Sequence, residues 1–377
     1  MRILALEPYN GGSHRAFLDG WSDRSRHAWT ILGLPAYKWK WRMRHAAITL
    51  ADQVGELVAR GQGWDRVFCS DMLNLAEFRG LAPPSVRDLP TVVYFHENQL
   101  TYPERDARER DHHFAFTNIT TALAATEVWF NTAFHRDEFI GALGPFLARM
   151  PDYQPMDIVD RIRGKSRVYP PGIDQFPPRG GRASGPMRVL WAARWEHDKN
   201  PDAFFAALRR LRSQGAAFSV SVIGEQFADS PAVFQQARVE FADCIDHWGY
   251  LEAREDYEAA LAGADVFVST ASHEFFGIAA VEAVAAGAYP LLPNRLAYPE
   301  VLSDVPGNGA FFYEPDEALA DRLAALADQV EKGHLWPDGL RQCVEDCIAR
   351  FCWEKRASAM DAAIAGLPPR ANGSTSD

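Results

Sequence analysis

The sequence predicts an α/β protein built from two Rossmann-like domains whose parallel sheets face each other across a cleft. Short apolar runs alternate with helix-like stretches along most of the 377 residues, as in parallel sheets that helices cover on both faces. This alternation pauses at the Pro- and Gly-rich stretch SRVYPPGIDQFPPRGGRASGP, residues 166–186, and then restarts. Because such a stretch cannot continue a sheet or a helix, we expect it to link the two domains.

Each domain has its own series of predicted strands and helices. In the first domain, apolar runs predict the strands RILALE, AWTILGLP, RVFCS, TVVYFHE and EVWFNT. In the second domain they predict MRVLWAARW, FSVSVIG, ADVFVST and AYPLLP. Apolar residues at intervals of three and four predict helices such as RHAAITLADQVGELVAR, DAFFAALRRLRSQG and IAAVEAVAAG. We expect domains at 1–172 and 173–352, a helix at 353–366 that crosses back to the first domain, and a flexible tail at 367–377.

The composition is typical of a soluble globular protein of the cytoplasm. Hydrophobic residues make up 47% and charged residues 24% of the chain, and no apolar run is long enough to span a bilayer. The apolar part of MRILALEPYNGG is too short for a signal peptide, so it predicts a first buried strand. The formal net charge of −11 argues against a surface that binds nucleic acid throughout, so any RNA contact must come from a local patch.

Five scattered cysteines are typical of reduced thiols in a cytoplasmic protein. Cys343, Cys347 and Cys352 lie close together in sequence, but no CxxC pair or nearby His completes a metal site. We therefore expect these three side chains to pack within buried helices.

The motif EPYNGGSH follows the first predicted strand, where ligands of parallel sheets bind. Gly11 and Gly12 let the backbone approach a ligand closely, and amides at the following helix start favour an anion. The motif is not GxGxxG, so it favours a dinucleotide only weakly. A simple strand-to-helix turn explains it equally well.

The motif AARWEHDKN, residues 192–200, follows the first strand of the second domain. Arg194 and Lys199 lie five residues apart at a strand-to-helix turn, which can direct both cations at one diphosphate. The alternative is that both are solvated surface cations.

The motif HEFFGIAAVEA, residues 273–283, follows the strand ADVFVST. Seven residues separate Glu274, expected at the mouth of the cleft, from Glu282, which lies later on the same helix and can reach a ribose hydroxyl. Phe276, Gly277 and Ile278 stand where that helix begins, so the amides of its first turn can face an anion or a sugar. The alternative is two unrelated helix carboxylates.

Together these motifs resemble the donor site of retaining glycosyltransferases of the large family 4, which have the two-domain GT-B fold. The resemblance implies that a sugar nucleotide binds mainly to the second domain, with Arg194 and Lys199 on the diphosphate and Glu282 on the ribose. It also implies that Glu274 and the amides around Gly277 hold the donor sugar. The other donor contacts that it implies are Gly11, Gly12, Tyr250, Leu251, Phe276 and Ile278, with Tyr250 and Leu251 beside the nucleobase. The segment PGID, ending at Asp174, resembles the one that opens the second domain.

The expected chemistry needs no metal or other cofactor. A departing nucleoside diphosphate carries concentrated charge, which many glycosyltransferases stabilise with a divalent ion held by Asp-x-Asp. This sequence contains no Asp-x-Asp, and two cations with helix-start amides can serve instead. For a retaining transfer we expect attack on the face of the leaving group, with the departing phosphate taking the acceptor proton. Glu274 is then needed as a catalytic contact and not as a nucleophile.

The first domain carries a dense polar group at the end of a strand. His96, Glu97, Asn98 and Gln99 follow TVVYF within YFHENQLTYP, and Asn131 and Thr132 follow a second strand. Burying such groups without partners is costly, so they should meet a ligand or each other. For His96 alone, a satisfied core histidine is the alternative.

Five segments, EPYNGGSH, LPAYKWKWRMR, SDMLNLAEFRGL, YFHENQLTYP and FNTAFHRDEF, resemble the tRNA-queuosine mannosyltransferases. Members of that family transfer mannose from GDP-mannose to the cyclopentenediol of queuosine at the wobble position of tRNA-Asp. The resemblance implies a catalytic role for His96 and a domain at 1–172 that binds the acceptor tRNA. The implied acceptor contacts are Ser13, His14, Lys38, Trp39, Lys40, Trp41, Arg42, His96, Glu97, Asn98, Gln99 and Asn131. Tyr37 departs from the family pattern, which has lysine there.

The segment KWKWRMRH, residues 38–45, fits this acceptor. If it is extended, alternation places its cations on one side and its rings on the other, where they can meet RNA phosphates and an unpaired base. Alternatively, Trp39 and Trp41 are core residues and the cations form a solvated edge. A second basic run can extend the same surface: Arg105, Arg108, Arg110, His112 and His113.

Four other functions remain open at this point. A family 4 transferase acting on a lipid, a glycan or a small molecule would have the same donor motifs, and salt-sensitive tRNA binding separates the two. A sugar-nucleotide epimerase of the same fold would act without an acceptor. A non-catalytic RNA-binding module would not retain Arg194, Lys199, Glu274 and Glu282 together. A Rossmann dehydrogenase lacks support because the sequence has no GxGxxG.

Overall fold

A computed structural model describes residues 1–103, 111–177, 179–182, 184–337 and 339–368. The chain forms two compact units. Unit 1 consists of Met1–Gly172 together with the chain from Trp353 on, and unit 2 is Ile173–Cys352. Each unit is an α/β layer structure around its own parallel sheet, which confirms the predicted fold class. Within the described residues, no helix is both long and apolar enough to cross a membrane.

Unit 1 contains a six-stranded sheet in which every neighbouring pair is parallel, with the order β2-β1-β3-β4-β5-β6. Its strands are β1 (Arg2–Asn10), β2 (Ala28–Pro35), β3 (Arg66–Ser70), β4 (Thr91–Phe95), β5 (Glu127–Phe130) and β6 (Ser166–Val168). The first five coincide with the predicted strands. The sixth is a correction, because the first residues of the expected linker pair with β5 through Val128–Ser166 and Phe130–Val168.

The helices of unit 1 cover both faces of this sheet. They are α1 (Gly12–Ser22), α2 (Trp39–Ala59), α3 (Leu75–Leu81), α4 (Pro84–Arg87), α5 (His112–Ala124), α6 (Ala133–Leu147), α7 (Ile158–Gly164) and α15 (Trp353–Ala365). Strand β1 shows why both faces are apolar: Leu4 and Leu6 enter one hydrophobic core, whereas Ile3 and Ala5 enter another. A strand buried on both faces is therefore a continuous apolar run.

Helix α15 is fixed to unit 1 by a buried carboxylate. Asp361 is 2% exposed, and its Oδ1 accepts hydrogen bonds from Trp21 Nε1 at 2.9 Å and Ser25 Oγ at 2.7 Å. Its Oδ2 accepts from the Arg26 amide at 2.8 Å. Three donors thus neutralise much of the cost of burying one carboxylate.

Unit 2 contains a second six-stranded parallel sheet, with the order β12-β11-β10-β7-β8-β9. Its strands are β7 (Met187–Ala192), β8 (Phe218–Ile223), β9 (Ile245–Gly249), β10 (Val266–Val268), β11 (Tyr289–Pro293) and β12 (Phe312–Tyr313). Its helices are α8 (Pro201–Ser213), α9 (Val233–Glu240), α10 (Arg254–Gly263), α11 (Ile278–Ala285), α12 (Tyr298–Val301), α13 (Leu319–Glu331) and α14 (Leu340–Ile348). The sequence predicted neither edge strand, because β9 carries exposed polar residues and β12 has only two residues.

The strand orders locate the ligand-binding edge of each unit. In unit 1, β2 and β3 lie on opposite sides of β1, and in unit 2, β8 and β10 lie on opposite sides of β7. The connections that follow β1 and β3 therefore run in opposite directions, and so do those that follow β7 and β10. This leaves a crevice at the carboxyl ends of each pair, which is where α/β sheets bind ligands. The loops after β1 and β3, and those after β7 and β10, are the positions to search for chemistry.

We expect Asp361→Ala to destabilise the protein by about 3 kcal/mol, because it removes the acceptor of the buried Trp21 donor and of the partly buried bonds from Ser25 and the Arg26 amide. Urea unfolding followed by tryptophan fluorescence measures this loss. Asp52→Ala, at an exposed position of α2, is the matched control and should change stability by less than about 0.5 kcal/mol. Equal stability of the two variants would contradict the role assigned to Asp361.

Candidate active site

The loop after β7 places one buried ammonium group among carboxylates. Lys199 ends a 3-10 turn at His197–Lys199 and is 8% exposed. Its Nζ donates to the His273 carbonyl at 2.9 Å and lies 3.3 Å from Glu274 Oε2 and 3.1 Å from Asp198 Oδ2. Burial opposes its charge, but the carboxylates outweigh burial and raise the pKa of Lys199 above its usual value. Lys199 is therefore a cation at neutral pH.

Glu274 follows β10 and is held at both oxygens. Its Oε2 faces Lys199, while its Oε1 accepts from the amides of Phe275 at 3.1 Å and Phe276 at 3.4 Å. Burial alone would raise the pKa of Glu274, but the Lys199 ammonium and the Phe276 amide hold it below its usual value. The structure thus brings Glu274 and Lys199 together. The sequence predicted that the Phe276 amide faces a ligand, but in this structure the amide donates to the Glu274 carboxylate.

Gly277 shapes the start of α11. Its φ of +85° is in the left-handed region, and a Cβ there would lie 2.8 Å from the Tyr298 ring. Both constraints favour glycine at this position. Ile278 then begins α11, as the sequence predicted, and Glu282 lies on that helix.

Arg194 and Glu282 complete the set predicted in unit 2. Arg194 is half-exposed and lies 3.2 Å from Glu196 through its guanidinium group. Glu282 is 9% exposed, accepts from the Tyr257 hydroxyl at 2.7 Å and is 3.1 Å from Arg254 Nη2. Burial raises the pKa of Glu282 above its usual value, although Arg254 and Tyr257 work against burial.

The sequence reasoning did not find Arg254 and Tyr257, which lie on α10. Their position just after HWGYL, the segment expected near the nucleobase, could have indicated that they lie close to the donor site. In that segment, Tyr250 is exposed, whereas Leu251 packs against the core of unit 2.

The motif EPYNGGSH forms the turn from β1 into α1. A Cβ on Gly11 would overlap the Ala36 side chain, so a close approach of backbone requires glycine there. Gly12 has a φ of +52°, and a Cβ on it would face open space. Ser13 is exposed in the first turn of α1. The helix start is therefore accessible to a ligand, and ligand binding there stays a prediction.

Behind that turn lies a buried polar cluster. Glu7 Oε1 accepts from Ser70 Oγ and from the Tyr9 amide, both at 2.9 Å, and Glu7 Oε2 lies 3.2 Å from His14 Nδ1. The His14 ring lies against the His96 ring with centroids 4.0 Å apart. Asp71, which follows β3, accepts the His96 amide at 2.9 Å.

The titrating groups of this cluster differ strongly in pKa. Burial opposes the charge on His14, but Glu7 raises the pKa of His14 to about 9. Burial and the charge on His14 hold the pKa of His96 well below its usual value. Burial raises the pKa of Asp71 to about 8. His96 is therefore a neutral imidazole beside a charged one.

The polar residues after His96 divide into two groups. Asn98 is fully buried: its Nδ2 bonds to His135 at 3.1 Å, and its Oδ1 accepts the amides of Leu100 and Thr101. This is a correction, because the Asn98 side chain supports the loop and is closed to an acceptor. Glu97 and Gln99 are half-buried and bond to each other at 3.2 Å.

Asn131 is likewise a scaffold residue in this structure. It is 6% exposed, donates to the His96 carbonyl at 3.0 Å and accepts from His135 Nδ1 at 2.8 Å. It positions His96, and its two polar atoms are already used, so its predicted direct contact with an acceptor is not supported. Thr132 caps α6 by accepting the His135 amide.

The segment KWKWRMRH is helical, which corrects the prediction of an extended segment. Lys38 is the N-cap of α2, with a φ of +49°, and Trp39 begins the helix. A helix turns by about 100° per residue, so alternation in sequence does not sort rings from cations. Tyr37 and Trp41 are 63% and 61% exposed, so the alternative that Trp41 is a core residue is wrong.

The other side chains of that segment are divided between core and surface. Met43 is buried, and Trp39 is half-buried against Phe114 at 5.2 Å between ring centroids. Lys38 and Lys40 are exposed, and Arg42 donates to the Pro35 carbonyl at 2.9 Å. The first turn of α2 contains no acidic residue. Cations at a helix N-terminus oppose the helix dipole, so this patch gains from an anionic partner.

The second basic run is only partly described. His112 and His113 begin α5, which Asp111 caps by accepting the His113 amide. Arg105, Arg108 and Arg110 lie outside the described residues.

The cysteines form no cluster with ligand geometry in the described chain. Cys347 is buried in α14, but Cys343 is exposed, and Cys352 is half-buried in a β-bridge to Ile173 outside any helix. The expectation of buried helix packing is therefore wrong for Cys343 and Cys352. The one group of three His, Cys, Asp or Glu side chains close enough to share an ion, among described residues, is Glu7, His14 and His96.

Comparison with known proteins covers almost the whole chain. Residues 2–173 match the family described as tRNA-queuosine alpha-mannosyltransferase N-terminal, and residues 173–336 match glycosyl transferases group 1. A tRNA-queuosine alpha-mannosyltransferase of Drosophila melanogaster is 36% identical over 79% of this chain and 81% of that protein. A GDP-mannose-dependent alpha-(1-6)-phosphatidylinositol dimannoside mannosyltransferase of Mycobacterium tuberculosis is 26% identical over 67% of this chain and 61% of that protein.

Solved structures share the fold at low identity. The sucrose-phosphate synthase of Thermosynechococcus elongatus superimposes with a TM-score of 0.70 and 14% identity, covering 97% of this chain and 98% of that one. A protein of Anabaena solved with UDP and glucose has a TM-score of 0.65 and 15% identity, covering 97% and 100%. These neighbours confirm the GT-B fold. The match of unit 2 to glycosyl transferases group 1 shows that this chain is a glycosyltransferase. The match of residues 2–173 and the 36% identity to the Drosophila enzyme show that it belongs to the tRNA-queuosine alpha-mannosyltransferase family.

Proposed function

We propose that this enzyme transfers mannose, with retention of configuration, from GDP-mannose to the cyclopentenediol of queuosine at the wobble position of tRNA-Asp. The observation that carries the proposal is the buried Lys199 ammonium group beside Glu274 at the point where the strand order of unit 2 reverses. The identity of the acceptor is supported by the 36% identity to the Drosophila enzyme named for queuosine in tRNA.

The donor is assigned from charge and from relatives. Lys199 is cationic, and Arg194 is half-exposed in the same loop, so both can face the two phosphates of a sugar nucleotide. Glu282, oriented by Arg254 and Tyr257, offers a carboxylate to the ribose hydroxyls. GDP-mannose is favoured over other sugar nucleotides because the mycobacterial relative is named for its dependence on GDP-mannose.

The transfer needs only charge stabilisation and alignment from these residues. The bond from the anomeric carbon to the phosphate oxygen breaks while an acceptor oxygen attacks the same face, and the acceptor proton passes to a phosphate oxygen. Lys199 and Arg194 stabilise the departing diphosphate without a metal ion bridging it, in keeping with the lack of Asp-x-Asp. Glu274 is already bound by Lys199 and two amides, which suits a sugar contact better than a nucleophile.

The acceptor RNA is assigned to the start of α2. Lys38 and Lys40 are exposed beside the Tyr37 and Trp41 rings, and the positive end of the helix dipole adds to their charge. Phosphates can bind the cations, and an exposed ring can stack on an unpaired base of the anticodon loop. Tyr37, the departure from the family pattern, keeps an aromatic surface in this patch.

Incubation with GDP-mannose and queuosine-containing tRNA, followed by nucleoside mass spectrometry, tests the proposal. We expect one hexose added to queuosine, without added Mg²⁺ or Mn²⁺. The same tRNA with guanosine at the wobble position is the acceptor control, and UDP-glucose is the donor control. Absence of a hexosylated nucleoside, or transfer to a phosphatidylinositol mannoside instead, would contradict the assigned acceptor.

Arg194→Ala should lower kcat/KM for GDP-mannose by about 100-fold or more, because one cation that stabilises the diphosphate is lost. Arg209→Ala is the matched control: Arg209 is a half-exposed arginine on α8 that pairs with Glu240 at 2.8 Å. The control should keep wild-type kinetics, and both variants should keep the wild-type melting temperature. Equal kinetics for Arg194→Ala and wild type would remove Arg194 from the donor site.

Trp41→Ala and Lys40→Glu should weaken tRNA binding and leave GDP binding unchanged. Loss of stacking on one base is worth about 1–3 kcal/mol, and loss of a phosphate contact lowers the salt dependence of log Kd by about one. Arg60→Glu, exposed at the other end of α2, is the control and should bind tRNA like wild type. Fluorescence anisotropy at several salt concentrations measures both the Kd for tRNA and its dependence on salt. A parallel fall in GDP affinity would indicate misfolding and not a lost RNA contact.

A further inference from the structure

Unit 1 contains three buried ligand-type atoms that converge and lack hydrogen-bond partners. Glu7 Oε2, His14 Nδ1 and His96 Nε2 are each shielded from solvent and make no hydrogen bond to any described residue. One ligand atom from each of these three side chains lies within 4.8 Å of the others. Glu7 Oε2 and His14 Nδ1 face each other as an ion pair, whereas His96 Nε2 has no hydrogen-bond partner among the described residues. One shared ion would provide a partner for all three side chains.

We propose that Glu7, His14 and His96 bind one divalent transition-metal ion, with Zn²⁺ as the favoured ion. Two imidazoles and one carboxylate are the ligand set that Zn²⁺, Co²⁺ and Fe²⁺ share, whereas Mg²⁺ and Ca²⁺ prefer oxygen ligands throughout. This site goes beyond the proposed transfer reaction, whose diphosphate contacts lie in unit 2.

The geometry of the Glu7 and His14 side chains fits a shared ion. Their closest atoms, Oε2 and Nδ1, are 3.2 Å apart. Two ligands on a tetrahedral zinc ion, each about 2.0–2.1 Å from it, are separated by about 3.3 Å. The distance between Glu7 Oε2 and His14 Nδ1 therefore fits two ligands of one ion as well as it fits an ion pair.

The ligands are held in place by a supporting shell. Ser70 Oγ and the Tyr9 amide occupy Glu7 Oε1, which leaves Oε2 for the ion. On His96, the backbone is fixed on both sides, because Asp71 accepts its amide and Asn131 donates to its carbonyl. Such outer contacts orient metal ligands in known sites.

The surrounding charge also favours a cation. Asp71 is fully buried and its Oδ2 makes no hydrogen bond to a described residue. Glu7 is fully buried too, and neither carboxylate forms a hydrogen bond to a Lys or Arg of the described chain. A divalent ion would take the place of the His14 proton as the positive charge that faces the Glu7 carboxylate.

The ion would have three protein ligands and therefore an open coordination position. Glu7 and His14 are buried, whereas His96 is half-buried and is the ligand nearest the surface of unit 1. The open position can take a water molecule or a hydroxyl group, as in zinc sites with three protein ligands.

Metal content tests the site independently of transfer activity. The 377-residue chain, purified without a polyhistidine tag, should contain about one equivalent of zinc by inductively coupled plasma mass spectrometry. Glu7→Gln and His14→Ala should each lose the metal, and His247→Ala, at an exposed position of β9, should keep it. Circular dichroism and melting temperature establish that each variant folds.

A second measurement uses wild-type protein alone, so it does not depend on the folding of a variant. Protein treated with dipicolinate and dialysed should take up one equivalent of Co²⁺, with visible d–d absorption, and should melt at a higher temperature with Zn²⁺ than without. No metal in the purified protein, no Co²⁺ absorption and no thermal shift would leave Glu7 and His14 as an ion pair only and overturn the proposal. Metal that remains in both Glu7→Gln and His14→Ala would place it elsewhere and would equally overturn the site.

Discussion

Both sheets of this protein are parallel, and their central strands are buried on both faces, which decides where chemistry can occur. Side chains within those strands are mostly apolar, because helices cover them above and below. The polar groups of the candidate sites therefore lie at or near the carboxyl ends of the central strands, where crevices open at the reversal of the strand order. The groups after β1 and β3 in unit 1, and after β7 and β10 in unit 2, are consequences of that one arrangement.

The same confinement explains the charge pairs of the two units. Lys199 and Glu274 are charged although largely buried, because each lowers the cost of burying the other. The Lys199 ammonium is therefore pre-positioned, and a diphosphate arriving there meets a fixed cation with little reorganisation. Glu7 and His14 form the corresponding pair in unit 1, and the His96 ring lies against His14. A carboxylate and two imidazoles converge there, which is why a metal ion is inferred at that place.

The start of α2 has the opposite character. Its cations are exposed and lie at the helix end where positive charge is least favourable, so they contribute nothing to helix stability. Exposed aromatic rings beside them add to that cost in water. A patch that is unfavourable for folding and chemically suited to RNA is best explained by binding, in a chain whose net charge is −11.

The sequence by itself determined the fold class, five strands of one sheet and four of the other, and the motifs Arg194, Lys199, Glu274 and Glu282, because hydrophobic periodicity and strand-end position are local properties. Only the tertiary structure decided what each polar residue contacts. It showed that Asn98 and Asn131 support a loop, that KWKWRMRH is helical, and that Arg254 and Tyr257 hold Glu282. Those outcomes depend on groups distant in sequence, such as Glu7 beside His14 and His96, whose convergence no local pattern encodes.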